Sequence, residues 1–157
     1  MNRITNPFLF YGYAGPDYFC AQQENTQKLI SALRNGRNIT LMSPRRMGKT
    51  GLIKNAFYQI HQEEPEAACF YMDIFSTTCL NDFIILFGQT VIGKLDTLSQ
   101  KALTTLTGFF RSCRIVFSSD PLNGTPHATL DFQPSQAQAT LKEIFEYLEH
   151  SGKECYI

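Results

Sequence analysis

The sequence predicts an α/β fold, and three observations carry that prediction. Short apolar runs alternate with segments of helical periodicity along the chain. A loop, Ser43-Pro44-Arg45-Arg46-Met47-Gly48-Lys49-Thr50, joins one such run to one such helix. The composition, 43% hydrophobic and 18% charged over 157 residues, is that of a folded domain rather than a disordered tail.

Residues 1–20 are rich in aromatics, Gly and Pro and read as an extended lead-in. A helix is predicted over 21–34, with Leu29, Ile30 and Leu33 on one face and Asn35-Gly36 as its stop. Asn38–Met42 (NITLM) is predicted to be a buried strand. Gly51–Gln62 follows as a helix whose Leu52, Ile53, Ala56, Phe57 and Ile60 form a core stripe. Ala67–Ile74 is predicted to be a second buried strand, and 79–95 and 99–112 are predicted helices. Arg114–Ser118 and Ala128–Phe132 flank a long turn and predict an inserted β-hairpin. Ser135 and Gln138 have the spacing of a capping box for a last helix, buried along Leu141, Ile144, Phe145 and Leu148 and ended by Gly152. The apolar faces of 79–95 and 135–150 are expected to be partly exposed and to promote aggregation.

Charge and cysteine usage exclude several classes. Lys+Arg and Asp+Glu both number 14, so there is no basic whole-chain footprint for nucleic acid, while a local basic patch and a nucleic-acid partner stay open. The five cysteines, Cys20, Cys69, Cys79, Cys113 and Cys155, are odd in number and never two residues apart. They read as small buried hydrophobes rather than zinc ligands or disulfides. His61, His127 and His150 have no partner ligands at helical spacing. Glu63, Glu64 and Glu66 read as a solvated loop, and Glu143, Glu146 and Glu149 as a wet helix face. There is no secretory leader and no run of about 18 apolar residues. The expectation is a soluble cytoplasmic protein without a membrane partner.

The loop 43–50 carries the chemistry. It has the phosphate-binding pattern G-x-x-x-x-G-K-[ST], with Ser43 at the first position. A loop of this kind turns successive backbone N–H groups inward around an anion, and the following helix adds the positive end of its dipole. Gly48 allows the backbone close to a phosphate. Lys49 brings a mobile charge to the β- and γ-phosphates, and the Thr50 hydroxyl is placed for Mg2+. Arg45 and Arg46 either touch phosphate or are solvated or paired loop charges. The predicted binding set is Ser43, Pro44, Arg45, Arg46, Met47, Gly48, Lys49, Thr50 and Gly51, with Thr50 on the metal.

At these residues the chain resembles the archaeal-type P-loop ATPases related to the AAA+ and STAND groups, in the form common in Bacteroides-like bacteria. The resemblance rests on NITLMSPRRMGKTGLIKNAF, the lead-in YFCAQQENTQKLISAL and CFYMDIFST. It covers most of 1–95 and again 135–157. It implies a three-layer fold with a mostly parallel sheet and nucleotide at the carboxyl ends of the strands. In that scheme 1–37 is the lead-in and helix, and 38–157 is the nucleotide-binding core. It also implies ATP and Mg2+ as ligands, with hydrolysis as the activity. Family members carry a motif similar to F-x-G-R-x-x-E beside the adenine. Its nearest match here is Phe19-Cys20-Ala21-Gln22-Gln23-Glu24, from which Phe19 is carried over.

Hydrolysis in the family also needs an apolar strand ending in Asp-Glu. Asp73 is read instead as capping the turn near Ser76-Thr77, and Cys155–Ile157 as the opening of the strand that leads to that pair. The chain is therefore expected to be the N-terminal part of a longer ATPase, truncated before its acidic strand end. It is expected to bind ATP without appreciable turnover, its catalytic residues unassigned. Two other readings stand beside it: a nucleotide-dependent switch that works through self-association or a partner protein, and a P-loop kinase acting on a small molecule.

Overall fold

The computed structural model describes residues 13, 15–16, 19, 22–95, 106, 108–119 and 126–157. They fall into two compact units, Met1–Cys69 and Phe70–Ile157.

In the first unit, helix α1 spans Gln23–Arg34 and helix α2 spans Lys49–Glu63. The two pack on each other through Leu29 and Ile30 of α1 and Leu52, Ala56 and Ile60 of α2. Ile53 and Phe57, the rest of the predicted stripe, are half-buried. The stop after α1 is the expected one. Gly36 takes φ 65°, its N–H returns to the Leu33 carbonyl, and the Arg37 N–H reaches the Ala32 carbonyl. This is the paired arrangement that satisfies the last carbonyls of a helix. At the same end Arg34 makes 2.6 Å ion pairs with both Glu63 and Glu64, so those two acids are engaged rather than simply solvated. A two-residue strand, β1 (Ala68–Cys69), closes the unit and packs against α2.

The predicted strand at Asn38–Met42 is not formed among the described residues. Ile39 is exposed and Met42 is 90% exposed. An apolar, β-branched run becomes a strand only when a neighbour takes up its backbone groups and covers its face. The predicted strand at 67–74 is likewise reduced to β1. Asp73 instead accepts the Phe75 N–H at 3.0 Å and caps a 3-10 turn at Ile74–Ser76, the capping role its position predicts.

The second unit is built on helix α3 (Leu80–Leu95), strands β2 (Arg114–Ser119) and β3 (Pro126–Asp131), and helix α4 (Ala137–His150). The hairpin is antiparallel, with Val116 opposite Thr129 and Phe117 opposite Ala128. Strand β3 packs on α3, and α3 packs on α4. The core includes Ile84, Phe87, Val91, Ile92, Ala128, Leu130, Ile144, Tyr147 and Leu148. The helix faces expected to stand exposed are thus largely buried, and Leu80 and Phe145 are the large apolar side chains they leave outside.

Three local expectations change here. Ser135 lies inside a 3-10 turn, Pro134–Gln136, and no side chain caps α4, so the capping box does not form. Proline at the first position of that turn starts the helix in its place. Phe145 is exposed but keeps its ring 5.4 Å from Phe87. Glu143 is not a wet-face residue. It accepts the backbone N–H groups of Arg111 and Ser112 and the Ser112 hydroxyl. The helix expected over 99–112 lies largely outside the described residues. Strand β4 is Cys155–Tyr156, and the Tyr156 carbonyl accepts the Phe70 N–H at 2.7 Å.

Candidate phosphate-binding loop

The bend 43–48 leads directly into α2. Its backbone alternates in hand: Arg46 has φ 64°, Gly48 has φ 78°, and Met47 between them is not left-handed. Alternation of this kind turns consecutive N–H groups to one side and forms a concavity for an anion. Arg46 is the only non-glycine residue at positive φ among the described residues. For an L-residue that conformation costs roughly 1–2 kcal/mol, so the bend is held against a local penalty. Gly48 is the N-cap of α2. No side chain caps this helix, and its first turn carries no acid. The positive end of the dipole is therefore left without a negative partner from its own turn.

Lys49 is the first residue of α2, and its ammonium folds back over the bend. It donates to the Ser43 carbonyl at 2.6 Å, the Pro44 carbonyl at 2.9 Å and the Ser43 hydroxyl at 3.1 Å. Three acceptors use the three protons of an ammonium. The lysine thus joins the two ends of the bend rather than projecting from it. Arg45, Arg46 and Thr50 are exposed. Among the described residues neither arginine has a carboxylate partner. Pairing with an acid is therefore not provided among the described residues, and contact with phosphate or simple solvation are the readings that stand.

The lead-in contributes two groups. The Phe19 ring lies over Gly51 in the first turn of α2. The Gln22 amide donates to the Met47 carbonyl at 3.4 Å. Behind Gln22 runs a buried polar chain. Thr26 donates its hydroxyl to the Gln22 carbonyl, Asn55 of α2 donates to the Thr26 hydroxyl, and Tyr13 donates to the Asn55 side-chain oxygen. Sequence reasoning missed Gln22, Thr26 and Asn55. The available signal was polar side chains at core-phase positions: Thr26 three residues before Leu29, and Asn55 between Leu52 and Ala56.

A cavity of about 420 Å³ opens beside the bend, lined by Gln22, Asn25, Leu29, Met42, Met47 and Lys49 among others. No acidic residue is among its described lining. No cluster of His, Cys, Asp or Glu able to hold a metal occurs among the described residues, and none of their helices is long and apolar enough to cross a membrane. Cys69, Cys79, Cys113 and Cys155 form no disulfide among the described residues; Cys69 is buried as expected, whereas Cys113 and Cys155 are half-buried and Cys79 is exposed.

No protein-family model matches the chain, and no curated protein or solved structure matches it.

Proposed function

We propose that the chain is a nucleotide-binding module of the P-loop kind, holding the triphosphate of Mg-ATP on the bend Ser43–Thr50. The observation that carries this reading is the alternation of hand at Arg46 and Gly48 immediately before an uncapped helix start. The backbone amides from Arg45 to Lys49 receive phosphate oxygens. Lys49 exchanges its contacts with Ser43 and Pro44 for the β- and γ-phosphates, and Thr50 offers its hydroxyl to magnesium. Magnesium held there would supply positive charge to offset the negative charge of the phosphates. Exposed Arg45 and Arg46 stand as further cations for the same anion. Phe19 and Gly51 border the site on the lead-in side.

The module is proposed to bind ATP without appreciable turnover by itself. Its fold is proposed to be of the three-layer, mostly parallel type, its setting cytoplasmic, and its role that of the binding half of an AAA+/STAND-like ATPase. A switch that signals nucleotide state through self-association or a partner protein needs only this binding step. A kinase is less favoured, since the carboxylate of Asp73 is already engaged with the Phe75 N–H.

Calorimetry with Mg-ATP on the purified chain tests the reading. Binding is expected for the wild type, and Lys49→Ala should weaken it by about tenfold or more, the worth of a charged hydrogen bond. Absence of heat with both ATP and GTP on folded protein overturns it.

A further inference from the structure

We propose that Gln22 is a positioning residue for phosphate binding, holding the bend open to the anion through the Met47 carbonyl. The inference rests on the reading of the bend as a triphosphate site. The Gln22 amide nitrogen lies 3.4 Å from the Met47 carbonyl oxygen and 3.6 Å from where a Cβ on Gly48 would stand. The amide therefore lies beside the Met47–Gly48 peptide. That peptide is trans, since no cis bond occurs among the described residues. In a planar trans peptide the carbonyl and the following N–H point in opposite directions. Drawing the Met47 carbonyl toward Gln22 turns the Gly48 N–H away from it. With Gly48 left-handed, that N–H belongs to the run of amides that an anion would use.

Gln22 is itself fixed by its backbone. It is the N-cap of α1, and its carbonyl accepts both the N–H and the hydroxyl of Thr26, which is fully buried. Thr26 is held in turn by Asn55 of α2, a buried residue from the same helix that begins with Lys49. The side chain of Gln22 makes no capping bond to α1. Removing it leaves these backbone contacts in place. A variant at this position therefore reports on the bend and not on the helix.

The test compares wild type, Gln22→Ala, Gln22→Glu and Gln22→Arg by Mg-ATP calorimetry, with thermal melting beside it. Gln22→Ala should weaken ATP about fivefold, the worth of one neutral hydrogen bond, with an unchanged melting midpoint. Gln22→Glu, which keeps the length but loses the donor, should weaken it further. Gln22→Arg, which restores a donor of sufficient reach, should recover most of the affinity. In 15N-labelled protein, the downfield shift of the Gly48 amide proton on adding ATP should be smaller in Gln22→Ala than in wild type. If wild type binds, Lys49→Ala does not, and Gln22→Ala binds as wild type with the same Gly48 shift, the positioning role is overturned and the triphosphate site stands. If wild type fails to bind, both fall together.

Discussion

The ring of Phe19 is seated on Gly51: a Cβ at that glycine would come within 3.0 Å of Phe19 Cε2 and 3.3 Å of Cδ2. Gly51 lies in the first turn of α2, two residues after Lys49, so an aromatic from the lead-in borders the first turn beyond the bend. Glycine is a poor helix former, by about 1 kcal/mol against alanine, and its presence here is explained by the ring. In wild type, Gly51→Ala should be close to neutral, because the helix gain is offset by displacement of a half-buried ring. In a Phe19→Ala background the same change should stabilise by about 0.5–1 kcal/mol. Urea unfolding of the four proteins measures this coupling, and additive effects would show that the ring does not rest there.

Arg46 occupies a backbone region that suits glycine and penalises branched side chains most. Replacement by glycine removes the local penalty but adds freedom to the unfolded chain, so Arg46→Gly should stay within about 0.5 kcal/mol of wild type. Arg46→Val should cost about 1–2 kcal/mol. The order of the two urea midpoints is the readout. If valine is tolerated as well as glycine, the bend does not have the alternating hand on which the proposed anion site rests.

Gly88 is the counterpart of Gly51 in the second unit. A Cβ there would collide with Leu130 of β3, meeting its Cδ1 and lying 2.9 Å from its Cγ. Leu130 is buried and has little room to turn away. Gly88→Ala should therefore destabilise by about 1–2 kcal/mol, the overpacking cost outweighing the gain in helix propensity. Truncating the obstacle should reverse the sign: alanine at 88 should be stabilising in a Leu130→Ala protein. Equal losses in both backgrounds would argue against the close approach of β3 to α3.

What could be read from the sequence was local. Helices α1, α2 and α3, the hairpin, the Gly36 stop and the capping role of Asp73 all follow from spacing within a few residues. Where a pairing partner or a distant cover decides, the reading failed. Asn38–Met42 has strand composition but no ladder, because composition cannot supply a neighbour. Glu143 looked solvated because its partners, Arg111 and Ser112, lie some thirty residues away in sequence. At the site, the pattern located the bend and its lysine. It did not foresee that Lys49 closes on Ser43 and Pro44, nor that Gln22 reaches Met47. Both depend on the tertiary path of the chain rather than on its periodicity.

Cys113 gives the fold a dependence on alkaline pH. Partial burial, with the negative charges of Glu143 and Asp131 nearby, pushes its thiol from 9.0 up to about 12. In the unfolded chain the thiol ionises near its ordinary value. Between the two, the folded protein holds a proton that the unfolded one has lost, so stability falls as pH rises. The contribution is complete below about pH 9 and is lost progressively toward pH 12. Cys113→Ala should flatten that part of the stability curve, measured by urea unfolding at stepped pH. Alkylation gives a second reading at pH 8.5: exposed Cys79 should react with iodoacetamide well before Cys113, resolved by peptide mass. Equal rates at the two cysteines would show that the Cys113 thiol is neither shielded nor held neutral by its surroundings.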